Sequence, residues 1–385
     1  MSALVVGIRL GLVRLGFVLG RALPMRRAVL FATAHADRIG GNLAYLRAEL
    51  RRSHPEIPAV VLAHRARSGW GGRFEGAVQA LRAGWALARS RVVIVDDYFF
   101  PIYAIDPRPG TTIIQTWHAS GAFKTFGYSV GDRAFGADAA LRDRVRIHAN
   151  YDVCLIGSQA STPAFAEAFG QPPDRFVSRL GIPRTDLFFG EAAERASASV
   201  RRRYGLTDGR RLILYAPTFR GDRVTDARHG VSLDLGRLSR ELGGTHRLIL
   251  RLHPFVRGGV EIGPELAGFV VDASDHSDVN ELMLVSDLLV TDYSSAIFEF
   301  SLLERPMAFF APDLAEYERE RGLYVDYRSW VPGPIFEDTD ALARWIREGQ
   351  FDGAAVRAFR EAAFEVADGR ASRRVIEEVV VPALA

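Results

Sequence analysis

The chain has one cysteine and one lysine among its 385 residues. A single thiol excludes an intramolecular disulfide framework and argues against a thiolate metal set. Cys154 lies in the apolar run Val153-Cys-Leu-Ile156 and reads as a buried, inert thiol, which fits a cytosolic location. The other 48 basic residues are all arginine, so the ammonium of Lys124 stands alone in a chain that otherwise uses the planar guanidinium. Long uninterrupted apolar runs are also missing. A spanning helix needs about 20 mainly apolar residues with few charges, and the N-terminal apolar stretch is broken by Arg9 and Arg14. The arginines are dispersed and accompanied by no aromatic platform, which speaks against nucleic-acid binding. No metal site is indicated. What remains is the composition of a soluble globular protein, 48% hydrophobic and 25% charged, long enough for two domains.

Acidic residues are absent up to Asp37, whereas Arg9, Arg14, Arg21, Arg26 and Arg27 precede it. Between these arginines lie Leu4-Val-Val-Gly-Ile8, Leu10-Gly-Leu-Val13 and Leu15-Gly-Phe-Val-Leu19. No small-residue cleavage site follows, so a secretory signal is disfavoured. Residues 1–27 read as an amphipathic helix that lies on an anionic membrane surface, arginines to the headgroups and aliphatic side chains to the acyl boundary. A first helix packed on its own domain is the competing reading of the same pattern. On the first reading, deletion of Met1 to Pro24 should weaken sedimentation with anionic liposomes.

Further along, short apolar runs alternate with helical stretches. Strands are expected at 28–34, 59–63, 91–95, 111–115 and 153–156, then at 211–215, 248–251, 268–272, 288–290 and 307–310, with helices such as 42–52, 76–89 and 279–285 between them. Continuous apolar strands of this kind belong to parallel sheets covered on both faces. Two series imply an α/β protein of two doubly wound Rossmann-like domains, 28–190 and 205–385.

In such sheets ligands gather at the carboxyl ends of strands. Five clusters sit there: Asp96-Asp97-Tyr98, Trp117-His118, Ala216-Pro-Thr-Phe-Arg220, Arg251-Leu-His253-Pro254 and Thr291-Asp-Tyr-Ser-Ser295. Ser294 and Ser295 open a helix and suit either a phosphate at its N-terminus or ordinary capping. Thr218, Arg220, Arg251 and His253 offer donors to an anionic ligand. Asp292 suits either the orientation of an imidazole or a backbone hydrogen bond. For the Asp96-Asp97 pair, structural capping is the expectation.

The motifs QTWHASGAFKTFG, YAPTFR, RLHP, TDYSSAIFEFSLLERPMAFFAPDLAEYERERGLY and DGRAS, in that order from about Val29 to Val379, resemble the CDP-glycerol glycerophosphotransferase family of teichoic acid biosynthesis. The resemblance implies a GT-B-like fold, with a C-terminal domain that binds the CDP donor, an N-terminal domain facing the acceptor, and peripheral attachment to the cytoplasmic face of the cell membrane. It implies His118 as catalytic base, His253 near the donor phosphates, and Thr218, Arg220, Ser294 and Ser295 around the pyrophosphate; Arg251 and Asp292, from the same strand ends, are added as donor-binding candidates. Lys124, Trp117 and Ser120 would support the His118 loop or the acceptor. The expected reaction moves glycerol phosphate from CDP-glycerol to a hydroxyl of a polyprenyl-diphosphate-linked saccharide and releases CMP, with no cofactor beyond the donor. The loop Ala-Ser-Gly-Ala-Phe-Lys after His118 looks more like the primase branch than the polymerases, and the chain lacks the extra N-terminal region often found in polymerases. CDP-ribitol, processive polymerisation or a nucleotide-sugar donor are the alternatives.

Overall fold

The computed structural model describes residues 3–65, 69–131, 144–220, 231–253, 256, 260 and 262–385. Pro254, named in the fourth strand-end cluster, lies outside them. Two six-stranded, all-parallel sheets form the framework. The first comprises β1 (Arg26–Thr33), β2 (Ala59–Ala63), β3 (Ser90–Val95), β4 (Thr112–Gln115), β5 (Val153–Leu155) and β6 (Phe176–Val177), in the order β2-β1-β3-β4-β5-β6. The second comprises β7 (Arg211–Ala216), β8 (His246–Leu250), β9 (Val270–Asp272), β10 (Leu288–Thr291), β11 (Met307–Phe310) and β12 (Ile335–Phe336), in the order β12-β11-β10-β7-β8-β9. The α/β class and the two doubly wound sheets expected from the sequence are both present.

Burial explains why these runs become strands. β10 and β11 are buried at every position and β1 along its last six residues, because helices cover both faces. The edge strand β2 is only half-buried. The two-residue edge strands β6 and β12 had no apolar run long enough to announce them.

The helix α1 (Ala3–Arg21) does not stand away from the body of the protein. Val6, Leu10, Val13 and Phe17 are buried against Ala80, Ala83, Leu87 and Ala88 of the helix α3 (Gly69–Arg89). The helices meet closely because Gly84 carries no side chain: a β-carbon there would stand 2.0 Å from the carbonyl oxygen of Val13. The opposite side of α1 leaves Leu4, Ile8, Leu15, Val18 and Leu19 exposed, and α3 adds Phe74, Val78 and Trp85. The packed-helix reading of this segment is the one present, and its outer face leaves apolar side chains open. No described helix is long and apolar enough to cross a membrane.

The central core is continuous across the two sheets. Phe31 and Leu46 of the first half, Phe298 and Phe309 of the second, and Val375, Ile376 and Leu384 near the C-terminus belong to one buried cluster. The helix α2 (Gly41–Ser53) packs against the C-terminal helical segment, so the chain returns at its end to the first half. Asp186 fixes this return by accepting the N–H groups of Ala371 and Ser372, both at 2.8 Å, which caps the helix Ala371–Val375 inside the DGRAS motif. A division at 190–205 does not foresee that crossing.

Candidate active site

Sequential strands reverse direction across the sheet between β1 and β3 in the first half, and between β7 and β10 in the second. Loops diverge at such points and leave crevices at the strand ends. Asp96-Asp97, Pro217-Thr218 and Asp292 to Ser294 all follow these strands.

The turn after β4 is built by its own motif. Gln115 is fully buried. Its amide donates to Asp97 O at 3.1 Å and to Tyr151 Oη at 2.9 Å, while its carbonyl accepts Trp117 N–H at 2.8 Å. Thr116 Oγ1 donates to Val95 O. Trp117 then adopts a positive φ of 51°, a conformation that costs a bulky residue energy and persists only when its surroundings enforce it. Packing against Phe126 and Phe169 buries its indole. His118, the next residue, is turned outward with its side chain 54% exposed.

Asp97 orients that imidazole. Its Oδ2 lies 2.9 Å from His118 Nδ1 and 3.0 Å from His35 Nε2, while its Oδ1 accepts Tyr98 N–H at 2.6 Å. The capping expected of this residue is present, and the same carboxylate also holds two imidazoles. Burial pushes the Asp97 carboxyl up, yet His118 and His35 together hold it well below the usual carboxylate range. An ionised Asp97 only accepts hydrogen bonds, so His118 Nδ1 is the donor in this pair, and in the neutral ring that tautomer leaves Nε2 as the acceptor. Asp96, with less compensation, is pushed by burial to about 6. His35 followed β1 without any motif, and only the neighbouring positions of β1, β3 and β4 bring it to this carboxylate.

A cleft of about 720 Å³ separates the halves. Gly40, Gly41 and Tyr45 line one side, and Thr218, Arg251, His253, Asp278, Glu281 and Ser294 the other. Arg251 is buried and donates to Leu252 O and Ser274 O, but its Nε has no partner and, among the described residues, no carboxylate pairs with it. Asp275, Asp278 and Asp272 offset its charge without pairing with it, so its unpartnered Nε is a place for an anion to bind. Burial, with the nearby charges of Lys124 and Arg251, lowers His253 to about 3. It therefore faces the cleft as a neutral hydrogen-bonding group, and charge neutralisation falls to the cations around it.

Arg220 is engaged differently from Arg251. Its Nε and Nη2 grip Asp313 at 2.6 and 3.1 Å, Nη1 bonds Thr218 O and Oγ1 at 2.9 Å, and Nη2 lies 2.9 Å from Asp292 Oδ2. Asp292 Oδ1 accepts Thr218 N and Oγ1 and Tyr293 N. Arg220 and Asp292 thus tie the ends of β7 and β10 together and set the position of Thr218. Ser294 Oγ accepts Ala296 N–H at 3.2 Å, and Ser295 precedes the short helix Ala296–Ser301 without capping it.

Lys124 pairs through its backbone with Leu323 and places Nζ 5.5 Å from the Tyr317 ring centroid. Ser120 Oγ donates to Glu299. The His118 loop is therefore held by the second half. Sequence reasoning passed over Glu299 and Arg184, which carry no strand-end signal, and over Tyr45, Asp278 and Glu281 of the cleft.

Residues 17–381 match the family described as CDP-Glycerol:Poly(glycerophosphate) glycerophosphotransferase. The chain belongs to that family. It is thus a transferase of the CDP-polyol class that serves teichoic acid biosynthesis, as the motifs led us to expect. It is 36% identical over 364 residues to a teichoic acid ribitol-phosphate primase of Bacillus spizizenii, covering 94% of this chain and 92% of that protein. To a teichoic acid glycerol-phosphate primase of the same organism it is 32% identical over 298 residues, covering 77% and 76%. Among solved structures, the wall teichoic acid polymerase TagF superposes with a TM-score of 0.78 at 22% identity, covering 94% of this chain and 90% of that one, which supports the GT-B-like fold.

Proposed function

We propose that the protein transfers one glycerol phosphate from CDP-glycerol to a hydroxyl of a lipid-linked saccharide, releasing CMP. The observation that carries the reading is the Asp97–His118 pair at 2.9 Å, which leaves Nε2 as a proton acceptor within electrostatic range of His253, and His253 lines a cleft with a buried guanidinium that no carboxylate pairs among the described residues. The acceptor hydroxyl attacks the glycerol-bearing phosphorus, its proton passes to His118 Nε2, and the phosphoanhydride bond to CMP breaks. A positioned base of this kind contributes typically about 10²–10⁴-fold. Arg251, Lys124 and the hydroxyls of Ser294 and Ser295 meet the diphosphate, His253 donates a hydrogen bond to it, and Thr218, whose hydroxyl proton goes to Asp292, shapes the site beside them, so that charge is neutralised where it develops. The second half carries the donor, and the first presents the acceptor.

Ribitol phosphate is the second reading. The 36% identity that extends over 92% of a ribitol-phosphate primase favours it, while the Ala-Ser-Gly-Ala loop is the feature that suggests single transfer. The two donors differ in hydroxyls that a few pocket side chains can discriminate. The acceptor's lipid suits the open apolar face of α1 and α3, flanked by Arg9 and Arg21, which would hold the protein peripherally at an anionic surface on the cytoplasmic side.

The test is CMP release from CDP-glycerol and from CDP-ribitol with a lipid-linked disaccharide analogue, with the product read by mass. One added glycerol phosphate supports the proposal. A ribitol product selects the second reading, a ladder of additions means polymerisation, and absence of CMP with both donors overturns the CDP-polyol assignment.

A further inference from the structure

The three carbonyls of the strained turn that presents His118 are each held by a side chain. Asn42 Nδ2 donates to Thr116 O at 3.1 Å and to Trp117 O at 3.0 Å, and Arg184 Nη1 donates to His118 O at 2.8 Å. The two holding residues are themselves joined, since Arg184 N–H donates to Asn42 Oδ1 at 3.0 Å. Arg184 belongs to the turn Pro183–Phe188 in the first half, but its charge is met by the second. Its Nε lies 3.0 Å and its Nη2 2.5 Å from Glu299 Oε1, and the same oxygen accepts Ser120 Oγ from the His118 loop.

Glu299 is 2% exposed and lies in the helix Ala296–Ser301, just after Ser294, which lines the cleft. A buried carboxylate is tolerated only when paired and fully hydrogen-bonded, and here every named partner comes from the segments that carry or hold His118. The rest of that loop is docked in the same place. Gly121 lies so close to Phe298 that a β-carbon would stand 2.5 Å from its ring, and Phe123 stacks on Trp330 at 5.0 Å.

We propose that Arg184 and Glu299 are positioning residues that fix the His118 turn to the donor-side half, so that the base reaches its working geometry only while this inter-half pair is closed. The inference rests on the assignment of His118 as base. A flexible or unpaired Arg184 would release one of the three carbonyls held around the strained turn at Trp117, and the imidazole would lose the orientation that Asp97 gives it. Neither residue needs to touch the reacting atoms.

The test compares Arg184→Lys, Arg184→Ala and Glu299→Gln with the wild type in CMP release, in donor affinity by calorimetry, and in hydrogen exchange of residues 116–125. Arg184→Lys keeps the charge beside Glu299 and the fold, but its single ammonium cannot hold both Glu299 and His118 O in the geometry of the guanidinium fork. For each variant the expected kcat loss is roughly 10- to 100-fold, the scale of a lost charge-assisted hydrogen bond, with donor Kd unchanged within about twofold and faster exchange in 116–125. Added guanidinium should restore part of the activity of Arg184→Ala, since that residue lines the open cleft, and none of that of Arg184→Lys. Donor affinity that falls in step with turnover would overturn the proposal and make Arg184 a ligand of the donor. Wild-type exchange together with wild-type turnover in Arg184→Lys would overturn it as well. If the wild type releases no CMP from either donor, the function is misassigned, while the exchange measurement still decides the positioning role.

Discussion

Replacing Asp97 by Asn tests the core of the active-site geometry, because it keeps the shape of the side chain and removes only the charge and the unambiguous acceptor. The carboxylate accepts from His118 Nδ1 at 2.9 Å and is itself mostly shielded, with 14% of its side chain exposed. A hydrogen bond to a charged group contributes about 1.5–3 kcal/mol, which at about 1.4 kcal/mol per tenfold is roughly 10- to 100-fold in rate. Loss of tautomer control adds to this. In the Ser-His-Asp triad the corresponding change costs about 10⁴-fold, a ceiling here because His118 is half in solvent and water can replace part of the interaction. The expected outcome is a kcat lowered by about 100-fold, with donor Kd within about twofold of the wild type. The assay is steady-state CMP release at varied CDP-polyol concentration, with calorimetric donor binding alongside. If Asp97 acts through His118, the double variant with His118→Ala should be no slower than His118→Ala alone, because residues that act as a unit are not additive. Turnover of Asp97→Asn within about threefold of wild type would refute the reasoning, and so would losses that multiply in the double variant.

Arg220→Ala should act mainly on stability, lowering it by about 3 kcal/mol, because Asp292 and Asp313 lose the guanidinium that compensates them; an unchanged melting temperature would contradict this. Arg251→Ala should instead weaken CDP-polyol binding by about tenfold or more, read by calorimetry. Asp96→Asn should stabilise the protein in a pH-dependent way. Burial raises this carboxyl from 3.8 to about 6, so the folded chain holds the proton more tightly than the unfolded chain and carries a penalty when the group is ionised. That penalty is full above about pH 7, shrinks as the pH falls below 6 and vanishes near 4, so the variant should gain about 1–3 kcal/mol at pH 8 and clearly less at pH 5; equal gains at both values in thermal melts would exclude the cause. Leu15→Ser with Phe74→Ser should reduce sedimentation with anionic liposomes while leaving the melting temperature within a few degrees. Deletion of residues 1–24 is a poorer test, since it also removes Val13 and Phe17 from the core.

Much of this protein was legible from local pattern. The apolar runs at 288–290 and 307–310 are strands because a parallel sheet buries both faces, and the helix 279–285 lies where its periodicity placed it. His118, Arg251, His253 and Ser294 were found at strand ends because doubly wound sheets open their crevices there. The partners of these residues were not legible. Asp97 meets His118 only because β3 and β4 are neighbours, and Glu299 meets Arg184 only because the two halves dock over a shared core. Arg220 shows the same limit from the other side, since its motif resembles a phosphate clamp and its tertiary contacts make it the tie between β7 and β10. Local pattern alone dictates which residue types stand at which strand ends. Tertiary structure decided which of them are paired, oriented or left uncompensated, because charge compensation depends on distances of a few ångströms between segments far apart in the chain.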